Sequence, residues 1–138
     1  MTATSCVFLG DPAEPAPAAT RINGEPALAL PLCDGEAVRW VEVRDTRSQD
    51  GEGPAVWRIE ARRPSAQSEF VLGDTPPGFD ETVPLAALPA RELTAVVMTD
   101  DGIVLMGVVD FDRVEEGKLY VDTKQRRTMS GIRDDRSC

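Results

Sequence analysis

The sequence predicts an all-β protein, an antiparallel β-sandwich of about seven strands with a short irregular C-terminal extension. Three observations support this fold class. Short apolar runs recur at roughly 8–12 residue intervals, which is the spacing of strands in sandwiches. Turn residues separate the runs, and glycine and proline contribute 11 residues each to a chain of 138. No amphipathic run of helical period exceeds two turns, which disfavours helical bundles and α/β folds.

Three segments are expected along the chain. Residues 1–21 are predicted to be a flexible segment, because the proline- and alanine-rich stretch 11–19 offers little to bury. Residues 22–121 form the sandwich, and residues 122–138 form a tail that packs on it. The Asn23-Gly24 pair is a turn signal at the start of the folded part.

The first strands follow from apolar runs and their phase. Ala27–Leu32 is predicted to lie at a sheet edge, because the prolines around it cannot donate to a ladder. Val38–Arg44 alternates in its second half, and its first half indicates either a bulge or burial on both faces. Ala55–Arg62 is the clearest strand, with Trp57 and Ile59 on one face.

The second half of the chain contains the strongest hairpin signal. Leu93–Thr99 and Ile103–Asp110 are β-branched runs joined by Asp100-Asp101-Gly102. The second run is apolar on both phases, which predicts a central strand or an edge protected by the tail. The remaining predicted elements are the short strands Phe70–Leu72, Thr82–Leu85 and Leu119–Val121, and a helical turn within Thr128–Arg133.

Part of the sequence resembles the fibronectin type III and immunoglobulin-like sandwiches. Val56–Arg62 is similar to the third strand of that family, where aromatic and aliphatic residues alternate with charged ones. Leu88–Gly102 is similar to its sixth strand and following hairpin, and Trp40 to the core tryptophan of its second strand. The resemblance covers about residues 27–110 and implies the fold. It departs from the family at Leu93, where a tyrosine is usual, and it transfers no functional residue.

Composition excludes several classes of chemistry. The chain has 24 acidic and 15 basic residues, a net charge of −9, and no histidine. A Ser-His-Asp triad, a Cys-His dyad and imidazole-ligated zinc are therefore excluded. The acidic balance argues against nucleic-acid binding, which needs clustered Lys and Arg. No apolar run approaches the roughly 20 residues of a membrane span.

The three cysteines leave two interpretations open. Cys6, Cys33 and Cys138 contain no CxxC spacing. If one pair is oxidised, Cys33 with Cys138 is the favoured disulfide, and three reduced thiols are the alternative. As given, the chain is expected to be cytoplasmic. It is expected to be secreted or at the cell surface if a leader was removed and this disulfide forms.

Two loops carry candidate site residues. Asp110 and Asp112 begin the densest acidic cluster, which is either a solvated turn or a weak candidate for a metal site. The turn at Pro76 and Pro77 is stiff and presents Phe79, either to a partner or back into the core.

The leading functional expectation is a non-catalytic, small soluble β-sandwich that acts as a protein-protein interaction module. No cofactor is expected, and the protein partner is unidentified. The alternative is an acidic inhibitor or immunity-type protein that neutralises a basic partner, which rests on the charge of −9 and the small size. A third hypothesis is a carboxylate-metal hydrolase that uses Asp110 and Asp112.

Overall fold

A computed structural model describes residues 15–45, 53–88, 92–136 and 138, and it contains two sheets and a short helix. The described strands are β1 Ala18–Ile22, β2 Glu25–Ala29, β3 Val38–Asp45, β4 Ala55–Ser65, β5 Glu69–Val71, β6 Phe79–Val83, β7 Leu93–Thr99, β8 Val104–Val109, β9 Leu119–Val121 and β10 Lys124–Arg126. A 3₁₀ turn covers Phe111–Arg113, and helix α1 covers Met129–Asp135.

The ten strands form two antiparallel five-stranded sheets, which confirms the predicted fold class. The first sheet has the order β10-β9-β1-β2-β5, and the second has the order β6-β4-β3-β7-β8. One hydrophobic core joins the two sheets. Leu28 and Phe70 enter it from the first sheet, and Val41, Trp57 and Val97 enter it from the second.

The segment predicted to be flexible contributes a strand, so the domain boundary at residue 22 is wrong. β1 pairs with β2 over its whole length, and its residues Ala18 and Ala19 are almost fully buried. Asn23 and Gly24 form the connecting turn with φ angles of 53° and 79°. The strand begins with alanine and threonine, whose small side chains allow neighbouring elements to pack closely on it. Such small residues give little apolar signal in the sequence.

The prediction of an edge position for the Ala27–Leu32 run is also wrong. β2 lies inside its sheet, between β1 and β5. Pro26 is tolerated there because β5 pairs only with Ala27–Ala29, beyond the proline. The carbonyl of Pro26 accepts a hydrogen bond from the Leu72 amide at 3.0 Å.

Of the two alternatives for the start of Val38–Arg44, a bulge or burial on both faces, the structure shows the bulge, which lies in β3. Val38 pairs with Ser65, and the next pair joins Trp40 to Glu60. After the bulge, Val41 and Val43 face the core, whereas Trp40 is only partly buried and lies on the opposite face. The interpretation of Trp40 as the core tryptophan is therefore wrong. Trp57 takes that place with no exposure, and its indole nitrogen donates to Glu81 at 3.1 Å.

β8 is an edge strand protected by the chain itself, which was the second of the two predicted alternatives. The Met106 amide donates to the Pro15 carbonyl at 3.0 Å, and the Val108 amide donates to Asp122 Oδ1 at 2.9 Å. A Cβ at Gly107 would come within 2.9 Å of the Ala16 Cβ, so glycine permits this close approach. Covered amide groups make the edge a poor template for pairing with another chain.

The C-terminal tail is more regular than the sequence suggested, because it contains β10 and α1. Thr128 caps the helix by accepting a hydrogen bond from the Gly131 amide at 3.0 Å. Ile132 is buried against Ala18 and Ala29, together with Leu119, Val121 and Met129. The helix therefore covers the outer face of the first sheet.

Two contacts fix the tail beyond the helix. Cys33 and Cys138 form a disulfide with a Cα–Cα distance of 5.4 Å. Arg136 forms a buried ion pair with Glu36, with nitrogen–oxygen distances of 2.5 and 3.0 Å. Arg136 also donates to the Pro31 carbonyl at 2.9 Å. No helix in the described ranges is long and apolar enough to cross a membrane.

Candidate functional site

The outer face of the second sheet carries apolar side chains that no described element covers. Along β7 and β8, alternate residues enter the core and the others point outward. We call the outward apolar set the apolar strip. It consists of Val96, which is only 6% exposed, the partly buried Met98 and Val108, and the exposed Val104 and Met106. Val104 and Met106 are 38% and 45% exposed, which is high for large apolar residues. Adjacent exposed apolar residues of this kind mark interaction surfaces more often than isolated ones do.

A charged and aromatic cluster lies beside the apolar strip on β3 and β4. The register places Trp40 next to Met98, and Glu42 next to Val96. The Arg58 guanidinium lies over the Trp40 ring, 4.4 Å from its centroid. This stacking is a cation–π contact, and it holds both side chains against the sheet.

Ion pairs fix the same cluster. Glu42 is only 5% exposed, and one of its oxygens accepts from Arg58 at 3.1 Å and from Arg44 at 3.0 Å. Arg58 also pairs with Glu60 at 3.0 Å. A carboxylate buried to this degree requires such partners. The cluster is therefore preorganised, because its side chains are already held before any ligand arrives.

A cleft opens at the end of this cluster, where β3 and β4 lose their register. It has a volume of about 460 Å³, and the residues that line it are Arg39, Trp40, Arg58, Glu60, Ala61, Arg62, Pro64 and Met98. Arg62 pairs with Asp80 through three hydrogen bonds of 2.7 to 3.2 Å. The hydrogen bond from Arg62 lowers the pKa of Asp80, and Asp80 in turn raises the pKa of Arg62. Both groups are consequently charged over the physiological pH range.

Met98 and Trp40 join the cleft to the apolar strip, so the whole outer face forms one continuous surface. It combines exposed methionine and valine with arginine and tryptophan. Tryptophan, methionine and arginine are enriched at protein interfaces, and tryptophan and arginine dominate their binding energy. A planar guanidinium offers forked donors to a carboxylate, whereas the strip offers apolar contact.

The predicted partner-contact turn does not present its aromatic residue. Phe79 is 4% exposed and packs edge-on against Phe70, with ring centroids 5.4 Å apart. The structure thus shows the core alternative for Phe79. Pro77 is exposed and Pro76 partly buried, and the Pro76 carbonyl closes the turn by accepting from the Phe79 amide at 3.1 Å.

The acidic cluster after β8 does not assemble a site in the described residues. Asp110 precedes the 3₁₀ turn and pairs with Arg113 at 3.5 Å, while Asp112 points to solvent. In the described ranges, no group of three or more His, Cys, Asp or Glu side chains is arranged to hold a metal ion. The structure therefore gives the hydrolase hypothesis no geometric support.

The structure describes two of the three cysteines. Cys33 and Cys138 are joined, as the favoured pairing had it. Cys6 lies outside the described residues. A shallow depression of about 610 Å³ lies beside the disulfide and is lined by Asp34, Arg133 and Asp134 among others. Its lining does not bring catalytic groups together, and the bond itself serves to hold the tail.

The outer face was missed from the sequence, although part of its signal is visible there. The outward positions of β4 are Arg58, Glu60 and Arg62, at period two in a strand that was predicted correctly. Their neighbours on β3 become identifiable only once the bulge sets the phase of Trp40. The apolar strip is hidden in a run that is apolar on both phases, so sequence alone does not separate its inner from its outer residues.

Comparison of the chain with protein-family models, with curated proteins and with solved structures found no match.

Proposed function

We propose that this chain is a non-catalytic protein-protein interaction module that binds its partner through the outer face of the second sheet. The observation that carries the proposal is the apolar strip. Val104 and Met106 are exposed in a face that no described element covers, whereas α1 covers the corresponding face of the first sheet. The apolar area would be removed from water by a partner, and that removal favours association.

The charged cluster beside the strip supports the same function. Trp40 and Arg58 are held together before binding, so little side-chain freedom is lost when a partner contacts them. Rigid aromatic and arginine side chains are the residues that dominate binding energy at interfaces.

The alternative of an acidic neutralising protein has less support. At least seven carboxylates in the described ranges are already paired with Arg or Lys, and they lie on the second sheet, in the loops after β2 and β8, and in helix α1. They are Glu36, Glu42, Glu60, Asp80, Asp110, Glu115 and Asp135. Pairing of this kind weakens the field that would steer a basic partner.

The strand connectivity also favours the immunoglobulin and fibronectin type III type of sandwich over other sandwich types. β1, β2 and β5 pair in the order expected of strands A, B and E. β3, β7 and β8 pair in the order expected of C, F and G. In this assignment β4, β6, β9 and β10 are additions to the sheet edges.

The experiment captures partners from extract of the source cells with two matched double variants as bait. Val104→Lys/Met106→Lys places two charges in the apolar strip, and Gln125→Lys/Ser130→Lys adds the same charge at exposed positions of the tail. A partner retained by the wild type and the tail variant but lost by the strip variant supports the proposal. A partner retained equally by all three contradicts it. Circular dichroism and urea unfolding verify that each bait is folded.

A further inference from the structure

The cleft on the outer face owes its existence to an unusual bulge. Between the pairs Val38–Ser65 and Trp40–Glu60, the single residue Arg39 on β3 lies opposite residues 61–64 on β4. β4 keeps its other neighbour at this point, because the Arg62 amide donates to the Gly78 carbonyl at 2.9 Å. Pro64 has no amide to contribute to a ladder, which is consistent with the opening. Bulges of this kind redirect side chains and often lie next to functional sites.

The bulge gathers arginine in a chain of net charge −9. Three arginines and one glutamate line the cleft. The neighbouring depression, of about 330 Å³, adds Arg63 beside Pro64 and Pro77. Four arginines therefore lie close together at this end of the second sheet.

Two of these arginines have no anionic partner among the described residues. Arg39 and Arg63 are exposed, and neither forms an ion pair or a side-chain hydrogen bond with any described residue. Arg58 and Arg62 differ from them, because Glu42, Glu60 and Asp80 already neutralise their charge. The paired arginines build the walls of the cleft. Arg39 remains available in the cleft, and Arg63 remains available in the neighbouring depression.

We propose that this cleft and the depression beside it bind the carboxylate groups of an acidic segment in the protein partner, with Arg39 of the cleft and Arg63 of the depression as the binding residues. The inference rests on the proposed function and names the chemistry of the partner. Guanidinium groups bind carboxylates through two parallel hydrogen bonds, which gives both strength and direction. The apolar strip continues from Met98, so the acidic segment lies next to an apolar contact region.

The test uses hexaglutamate as a probe, with hexaglutamine as its neutral counterpart. ¹H–¹⁵N spectra of the whole chain at low ionic strength follow the Trp40 indole and the amides of residues 61–63 and 65. Hexaglutamate is expected to shift these signals in a saturable manner, and hexaglutamine is expected to leave them unchanged.

Two double variants of equal charge separate a site from general attraction. Arg39→Gln/Arg63→Gln removes the two binding residues, and Arg127→Gln/Arg133→Gln removes two exposed arginines of the tail that also form no ion pair with described residues. The first variant is expected to weaken hexaglutamate binding at least about fivefold, a loss of roughly 1 kcal/mol. The second is expected to change it less than twofold.

Three results would overturn the inference. They are the absence of any hexaglutamate shift, an equal loss of binding in both double variants, and tighter binding of a sulfated oligosaccharide, which would assign the cleft to another class of ligand. The two proposals can fail separately. A captured partner that depends on Val104 and Met106 but not on Arg39 and Arg63 leaves the interaction module standing and removes only the acidic segment.

Discussion

The two sheets of this sandwich differ most on their outer faces. The first sheet is covered by its own chain, since Ile132 of α1 is buried on Ala18 and Ala29. On the second sheet, Val104 and Met106 remain 38% and 45% exposed. Both outer faces contain apolar residues, so hydrophobicity alone does not distinguish them. The presence of an intramolecular cover does.

Two strong contacts hold the C-terminal tail, and with it helix α1, on the first sheet. The disulfide and the buried Arg136–Glu36 pair both join the tail to the loop after β2. Neither contact lies on the second sheet. The apolar outer face of the first sheet is buried only while α1 stays packed on it. The disulfide favours this packing because it links the tail covalently to the loop after β2. The uncovered face of the second sheet is consistent with burial by another molecule.

The largest expected effect comes from removing the disulfide. Cys33→Ser/Cys138→Ser opens a loop with a sequence separation of 105 residues. In the chain-entropy account this lowers the free energy of unfolding by about 4 kcal/mol. Urea unfolding under oxidising conditions measures the loss, and hydrogen exchange is expected to rise most at the amides of α1. The control is Cys6→Ser, which removes a thiol without opening this loop. Uniform exchange across both sheets with α1 still protected would mean that the disulfide does not hold the cover.

The next effect comes from the buried ion pair. Arg136→Met leaves the Glu36 carboxylate, whose side chain is 4% exposed, without its cation. The expected loss is about 3 kcal/mol, because an uncompensated buried charge is costly. Chemical denaturation of the oxidised protein measures it.

The double variant Glu36→Met/Arg136→Met is the control for this pair, because it removes both charges. Replacement of a whole buried pair by apolar residues is often close to neutral, so the double variant is expected to lose less than the single one. If the double variant were the less stable of the two, the pair would be acting through its hydrogen bonds to Pro31 and Cys33 and not through its charges.

Local sequence patterns predicted most of the strands. They did not predict a strand's burial or its place in the sheet where these depend on the strands and helices that pack against it. β7 and β9 agree residue for residue with the predicted runs, because alternation and turn chemistry are local properties. β1 was missed because its burial depends on residues far away in sequence. Ile132 of α1 packs with Ala18, and Ala19 pairs with Tyr120 of β9. Trp40 was assigned to the core for a related reason. A bulge in β3 places the Trp40 side chain on the outer face. The bulge is visible only in the register between β3 and β4, which the sequence of one strand does not contain.

The outer-face site also depends on pairing between strands. Its arginines come from β3 and β4, and the cleft between them depends on a register shift that no pattern within one strand contains. The disulfide was easier to favour, because a chain with three cysteines allows few pairings. Pairing across strands therefore accounts for most of what the sequence did not show.

The smallest expected effect tests the comparison directly through two truncations of similar size. Ile132→Ala on the covered face is expected to cost about 2 kcal/mol or more, because Ile132 is 4% exposed and its removal leaves a cavity under α1. Met106→Ala on the uncovered face is expected to cost about 0.5 kcal/mol or less, because solvent already contacts nearly half of that side chain. Urea unfolding of both variants at two protein concentrations gives the comparison. Equal losses would mean that the second face is also buried in solution, and a loss at Met106 that grows with protein concentration would identify a second copy of the chain as its cover.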